Sequence, residues 1–304
     1  MAINIYNIKK WYKMLTGQSV LHVNQDIGKS FSTHVIKGYY NNLTEKVTKE
    51  PELVDSMELP HTPLADGSVI IFPVAVFQYA LGCYDLYLQT GDKRYQTKFI
   101  QLADWTLQQQ DERGRWANFS QAYPDNPYGA MAQGEAASVL IRAYKETLDT
   151  KYLIGAKRSI DFMLLPHEDG GTAKYIGNDL LLMEYTHLPI VLNGWIFAWW
   201  GLYDYVIMTS DNGHYKELLQ MSCNSLVKYM PQFATRYWSK YDLDYRIASP
   251  FYHNLHIAQM QAMYQLTGEK AFNEYGQRWD RQQGQLFNKS IAFLIKAYQK
   301  IVEK

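Results

Sequence analysis

The chain has 304 residues, with 30 basic and 30 acidic side chains and a formal net charge of zero. That length allows one large domain or two ordinary ones, and the balanced charge removes the overall basic excess that a nucleic-acid binder usually carries. With 47% hydrophobic residues a sizeable core can form, and 25 tyrosines and 8 tryptophans suit aromatic packing in that core or, less simply, a surface that stacks on sugar rings.

The N-terminal stretch MAINIYNIKKWYKML contains no apolar run long enough for a signal peptide. No stretch is long and apolar enough to span a membrane, so a cytoplasmic protein is expected. Residues 1–68 are more polar than the rest and read as an N-terminal arm or extension, with KGYYNNLTEK as a short helix. DGSVIIFPVAVFQYALGCYDLY then leads into a first helical hairpin. Cys83 and Cys223, the two cysteines, each fall in an apolar helical pattern and read as small buried hydrophobes rather than a disulfide framework.

From there one pattern recurs: YLQTGDKRY at 87–95, YKETLDTKY at 144–152, YVIMTSDNGHY at 205–215 and YQLTGEKAF at 264–272. Each has an aromatic residue on either side of a turn of the Thr-Gly-Asp type, which stops one helix and caps the next. Recurrence of a helix–turn–helix unit is the signature of a repeat architecture. It predicts an all-α fold, an (α/α) toroid of helical hairpins over residues 69–304. The tight turns fall at one end of every hairpin, so the longer loops 111–132, 166–193 and 231–252 gather at the other, where function is expected.

Those loops carry the candidate chemistry. Loop 111–132 offers Trp116, Tyr123 and Tyr128, with Gln133 just beyond. Loop 166–193 offers Glu184, Tyr185 and His187 in LLMEYTHLPIVLNGW, where Pro189 and Asn193-Gly194 set the entry to a buried helix. Loop 231–252 offers Tyr241, Asp242, Arg246 and Tyr252, followed by His253 and His256. There is no Gly-rich phosphate loop and no nucleophile elbow. His253 and His256 at i, i+3 read as hydrogen-bonding groups rather than metal ligands, and no metal or cofactor is expected.

One carboxylate, several phenols and an arginine suit removal of a proton next to a sugar carboxylate. In a uronate, loss of H5 builds a second negative charge on the carboxylate, which Arg or Lys neutralises. A carboxylate or a tyrosinate can serve as the base. Returning the proton to the opposite face inverts C5, whereas expelling the C4 substituent makes a lyase. An inverting hydrolase using Glu184 with Asp242 and a non-catalytic glycan binder are the other readings. The plainer alternatives are a capping or ion-pairing role for Glu184 and a rim position for the tyrosines.

At these residues the chain resembles the D-glucuronyl C5-epimerase family, in its C-terminal helical domain. NPYGAMAQGEAASVLIRAY at 126–144 resembles the family's S-A-M-A-Q-G-Q-A segment. MEYTHLPIVLNGWIFAWWGLYDY resembles E-E-Y-P-T…S-F-V-L-N-G-F followed by G-L-Y-D. KYDL at 240–243 resembles Y-D-L-R, and FYHNLHIAQMQAM resembles D-Y-H…H-I-x-Q-L. FPVAVFQYALG and QQQDERGRW match further segments, in order, over about 68–280. The resemblance implies an (α/α) barrel and epimerisation of D-glucuronate to L-iduronate within a polysaccharide, with Glu184, Tyr185, Tyr241 and Tyr252 as catalytic residues. Arg246, His253, Tyr128, Gln133, Trp116 and Asn193 are the expected substrate-binding set, and a homodimer is a possible assembly. The chain departs from the pattern where Met183 replaces one of the paired glutamates and Asp244 replaces the arginine after Y-D-L, with Arg246 nearest to it. The β-rich domain of the animal enzymes is also replaced by a short helical hairpin.

Overall fold

The computed structural model describes residues 23–49, 53–54, 57–63 and 68–302, so the N-terminal stretch read for a leader lies outside them. The hairpins are α1 (Pro73–Thr90) with α2 (Lys93–Gln108), α3 (Ala130–Thr147) with α4 (Thr150–Leu164), α5 (Leu192–Thr209) with α6 (His214–Tyr229), and α7 (Pro250–Thr267) with α8 (Lys270–Gln283). A last helix, α9 (Leu286–Val302), follows.

All four recurrent turns fall between the helices of a hairpin, and their chemistry repeats. Thr90, Thr147, Thr209 and Thr267 end the first helices, and each Oγ1 donates to the carbonyl four residues back at 2.7 Å. The next residue, Gly91, Leu148, Ser210 or Gly268, takes the left-handed conformation that closes the helix. In three of the four, the same threonine oxygen then accepts the amide N–H of the acidic residue ahead of the second helix.

The first helices pack in a row, α1 on α3, α3 on α5 and α5 on α7, and the second helices cover them. Position in the row explains composition. α3 is buried from Ala130 to Ala143 and α5 from Leu192 to Val206, so neither has a polar face to give to water. The α3–α5 crossing brings the two helix backbones into direct contact. A Cβ on Gly201 would lie 2.2 Å from the Gly134 carbonyl oxygen, and one on Gly134 would lie 2.5 Å from the Ala198 Cα. Two glycines therefore let backbone meet backbone.

The N-terminal segment enters this core. Tyr39 and Tyr40 are buried against Phe197 and Trp200. Arg142 and Asp204, both fully buried, form an ion pair at 2.5 Å, and the guanidinium also donates to the Lys37 and Gly38 carbonyls at 3.0 Å each. Within KGYYNNLTEK only the end is helical, in the single turn Glu45–Thr48.

Loop 166–193 contains a β-hairpin, β1 (Ala173–Ile176) with β2 (Asp179–Leu182), which the sequence does not announce. All of β2 is buried, and a strand covered on both faces shows no alternation. Cys83 and Cys223 are free and buried, and burial raises both thiols to about 12. Among the described residues, no helix is long and apolar enough to cross a membrane.

Candidate active site

Three long connections lead into the N-terminal ends of α3, α5 and α7, and the candidate residues collect there. Glu184 follows β2. Its carbonyl lies against Gly129, the residue capping α3, and its carboxyl lies against Gly194 in the first turn of α5. A Cβ would meet the Glu184 oxygens at 2.0 Å from position 129 and 2.2 Å from position 194. Asn193-Gly194 lies at the entry to the buried helix α5. Val191 caps α5, both residues are already helical, and Gly194 is required because Glu184 occupies the volume of its missing side chain. Helix N-termini present partial positive charge, so these three ends favour an anionic ligand.

Tyr241 reaches Glu184 through backbone pairing. The Leu192 N–H donates to the Tyr241 carbonyl at 3.1 Å, and the Leu243 N–H donates to the Ile190 carbonyl at 3.0 Å. Residues 240–243 thus lie beside the segment that joins Glu184 to α5. Tyr252 sits in the first turn of α7, where Ser249 Oγ accepts its amide N–H. The Tyr241 and Tyr252 rings meet edge-on, with centroids 4.9 Å apart.

Arg246 is fixed by Asp242, whose buried carboxylate accepts from the guanidinium Nε at 2.5 Å and from the Arg246 and Asp244 amides. The Arg246 guanidinium lies 5.6 Å from the Tyr241 ring centre. Tyr185 stacks on Phe119 with centroids 4.4 Å apart and meets Tyr123 edge-on at 5.8 Å, which builds an aromatic wall from loop 111–132. His187 is exposed beside Tyr123 at the rim.

Burial sets the proton affinities. It raises the Glu184 carboxyl to about 7, against the opposing pull of the Tyr185 hydroxyl and the Arg246 charge. Burial also raises the Tyr185, Tyr241 and Tyr252 phenols, and each is raised further by the charge of Glu184. The four groups therefore share one electrostatic environment, in which the carboxyl ionises near neutral pH and the phenols keep their protons.

Deeper along α3, Glu135 accepts a hydrogen bond from Gln78 at 2.9 Å. Burial raises it to about 8, with Lys46 pulling down and Glu184 pushing up. Asp85, also buried, is raised to about 7. These three carboxyls ionise near 4 in an unfolded chain. The folded state thus binds more protons than the unfolded state from there up to about 7–8, and stability falls as pH rises through that window. Burial lowers His253 to about 3 and His256 well below its ordinary value, which opposes the trend only below about pH 6.5. Lys46, lowered by burial to about 8, opposes it only above that pH. The melting temperature should therefore fall between about pH 6.5 and 8, and Glu135→Gln should flatten the fall; a flat profile in the parent chain would contradict this account.

Several expected binding residues are placed otherwise. His253 is fully buried, stacked on Trp238 at 3.6 Å. Its Nε2 donates to the Trp279 carbonyl, and Nδ1 accepts from Ser239, which also bonds His256. It supports the Tyr252 helix and offers no surface to a sugar. Gln133 and Trp116 are buried too: the Trp116 indole donates to the Thr106 carbonyl, and Gln133 donates to the Trp116 and Gly129 carbonyls. The Asn193 side chain is 3% exposed. All four are buried, and His253, Gln133 and Trp116 each bond neighbouring residues of the protein. Tyr128 stays half-buried, with the Arg115 guanidinium 4.2 Å above its ring. Gln299 and Lys296 of α9 reach the Arg246 loop and Tyr241, a role with no local signal in the sequence.

Residues 105–281 match the family described as D-glucuronyl C5-epimerase C-terminus. A D-glucuronyl C5-epimerase of Caenorhabditis elegans is 27% identical over 209 residues, covering 60% of this chain and 34% of that protein. An uncharacterized protein of Methanocaldococcus jannaschii is 30% identical over 157 residues, covering 50% of this chain and 51% of that one. The chain thus spans about a third to a half of the length of these curated relatives.

Proposed function

The chain belongs to the D-glucuronyl C5-epimerase C-terminus family, and on that footing we propose that it is a uronate C5-epimerase acting on glucuronate residues within a polysaccharide. The observation that carries this reading is the pairing of a buried carboxyl of near-neutral proton affinity with phenols that stay protonated. A base works best when its proton affinity lies near the operating pH. Glu184 as carboxylate takes H5 from one face of the sugar. Tyr252 or Tyr241 delivers a proton to the other face, and before the next turnover Glu184 releases the proton it took and the phenolate takes one up. Arg246 and the helix N-termini stabilise the charge that develops on the uronate carboxylate. Residues 69–304 form the catalytic unit, a set of hairpins closing into an (α/α) toroid, with 1–68 as an extension.

A hydrolase with Asp242 as second carboxylate is disfavoured. That side chain is fully buried and already accepts from Arg246 and two backbone amides, so it has no reach to a water molecule. Incubation of an unsulfated glucuronate polymer in deuterated water tests the reading. Deuterium at C5 is expected. An unlabelled polymer, or new ultraviolet absorbance from an unsaturated uronate, overturns it.

A further inference from the structure

The last helix lies beyond the matched segment 105–281 yet packs onto the candidate site. Ala292 and Ile295 cover a small core of Trp238, Ile247 and Ala248, which Tyr252 also touches. Gln299 is 7% exposed and spends both ends of its amide on the Arg246 loop. Its Oε1 accepts from the Ile247 N–H at 3.2 Å, and its Nε2 donates to the Tyr245 carbonyl at 2.8 Å. The two residues flanking Arg246 are thus held from outside while Asp242 holds the loop from within. One helical turn before Gln299 stands Lys296, whose Nζ is 5.7 Å from the Tyr241 ring centre. Arg246 lies over the same ring at 5.6 Å. Two cations, from two elements far apart in the chain, therefore attend one tyrosine.

The charge inventory shows why both matter. The Arg246 charge is offset by the buried carboxylate of Asp242 that holds it, and Glu184 brings a further negative charge once ionised. A uronate carboxylate entering this wall meets little net positive charge from those three groups. Proton removal at C5 would make the position worse by adding a second negative charge. Lys296 shifts the balance, and an ammonium on a flexible stem can follow a carboxylate as it moves.

We propose that Lys296 is a substrate-binding residue that engages the sugar C6 carboxylate together with Arg246, so that α9 completes a site the matched segment leaves short of positive charge. The proposal rests on the uronate reading above, and its test is a binding measurement that needs no turnover. The full chain, Lys296→Met and Lys296→Arg are each titrated with an unsulfated glucuronate polymer and with the same polymer after reduction of its carboxyls to alcohols. Lys296→Met should bind the acidic polymer about tenfold more weakly or worse, bind the reduced polymer like the parent, and melt at the parent's temperature. Lys296→Arg should recover most of the loss. Lys296→Met binding the acidic polymer within about twofold of the parent would overturn the proposal. So would an equal loss for both polymers, or an arginine variant that folds and recovers nothing. Failure of C5 labelling in the parent chain, with this binding pattern intact, would instead count against the epimerase reading alone.

Discussion

Glu184→Gln should lower C5 deuterium exchange by about a hundred- to ten-thousandfold, the range a positioned general base contributes, while the protein stays folded. The substitution conserves shape in the space against Gly194 and removes only the ability to hold and release a proton. Glu184 Oε2 is buried without a hydrogen-bond partner to lose, and the glutamine side-chain oxygen can still accept from the Tyr185 hydroxyl that bonds the carboxyl. An ionisable group that resists charging in the fold is also removed, so at about pH 8 the variant should melt at or above the parent's temperature. Exchange is read by nuclear magnetic resonance of the polymer after incubation in deuterated water. A variant within about tenfold of the parent would move the base from Glu184 to a tyrosine.

Arg142→Met should destabilise the fold by about 3–5 kcal/mol, the usual result of removing one partner from a buried ion pair. Arg142 is fully buried and bonds Asp204 of α5, the Ser138 carbonyl of its own helix, and the Lys37 and Gly38 carbonyls of the N-terminal segment. Methionine fills much of the volume but leaves Asp204 with Tyr40 as its remaining partner and strands two carbonyls. The urea midpoint, read with the slope held constant, measures the loss. A loss below about 1 kcal/mol would mean that the packing of Tyr39 and Tyr40 alone holds the segment in place.

The hairpins were legible in the sequence because their signals are local. A threonine and a left-handed residue are adjacent in all four turns, and an acidic cap follows them directly in three. The long connections between the hairpins were legible for the same reason. The β-hairpin at 173–182 was not, because β2 is buried throughout and shows no alternation. Asn193-Gly194 was legible as the entry to the buried helix, whereas the reason for the glycine, a carboxyl ten residues earlier in the chain, is a tertiary contact with no local signal. His253, Gln133, Trp116 and Asn193 sit inside motif-like stretches, and a motif does not show how deeply each side chain is buried. Gln299 and Lys296 carry no local signature, since their contacts lie more than fifty residues away.

The seat of Glu184 has a consequence for how such a protein can change over generations. Because the Glu184 side chain occupies the volume where residue 194 lacks one, with its carboxyl and Cβ 2.2 and 2.6 Å from where a Cβ would stand, one added methyl group displaces it. Gly194→Ala needs a single nucleotide change. The descendant should still take up the glycan at the parent's affinity while its C5 exchange drops by more than about tenfold, which calorimetry and deuterium labelling on the same sample would separate. Under the function proposed above, a duplicated gene carrying that change would encode a glycan binder from which the exchange has been removed.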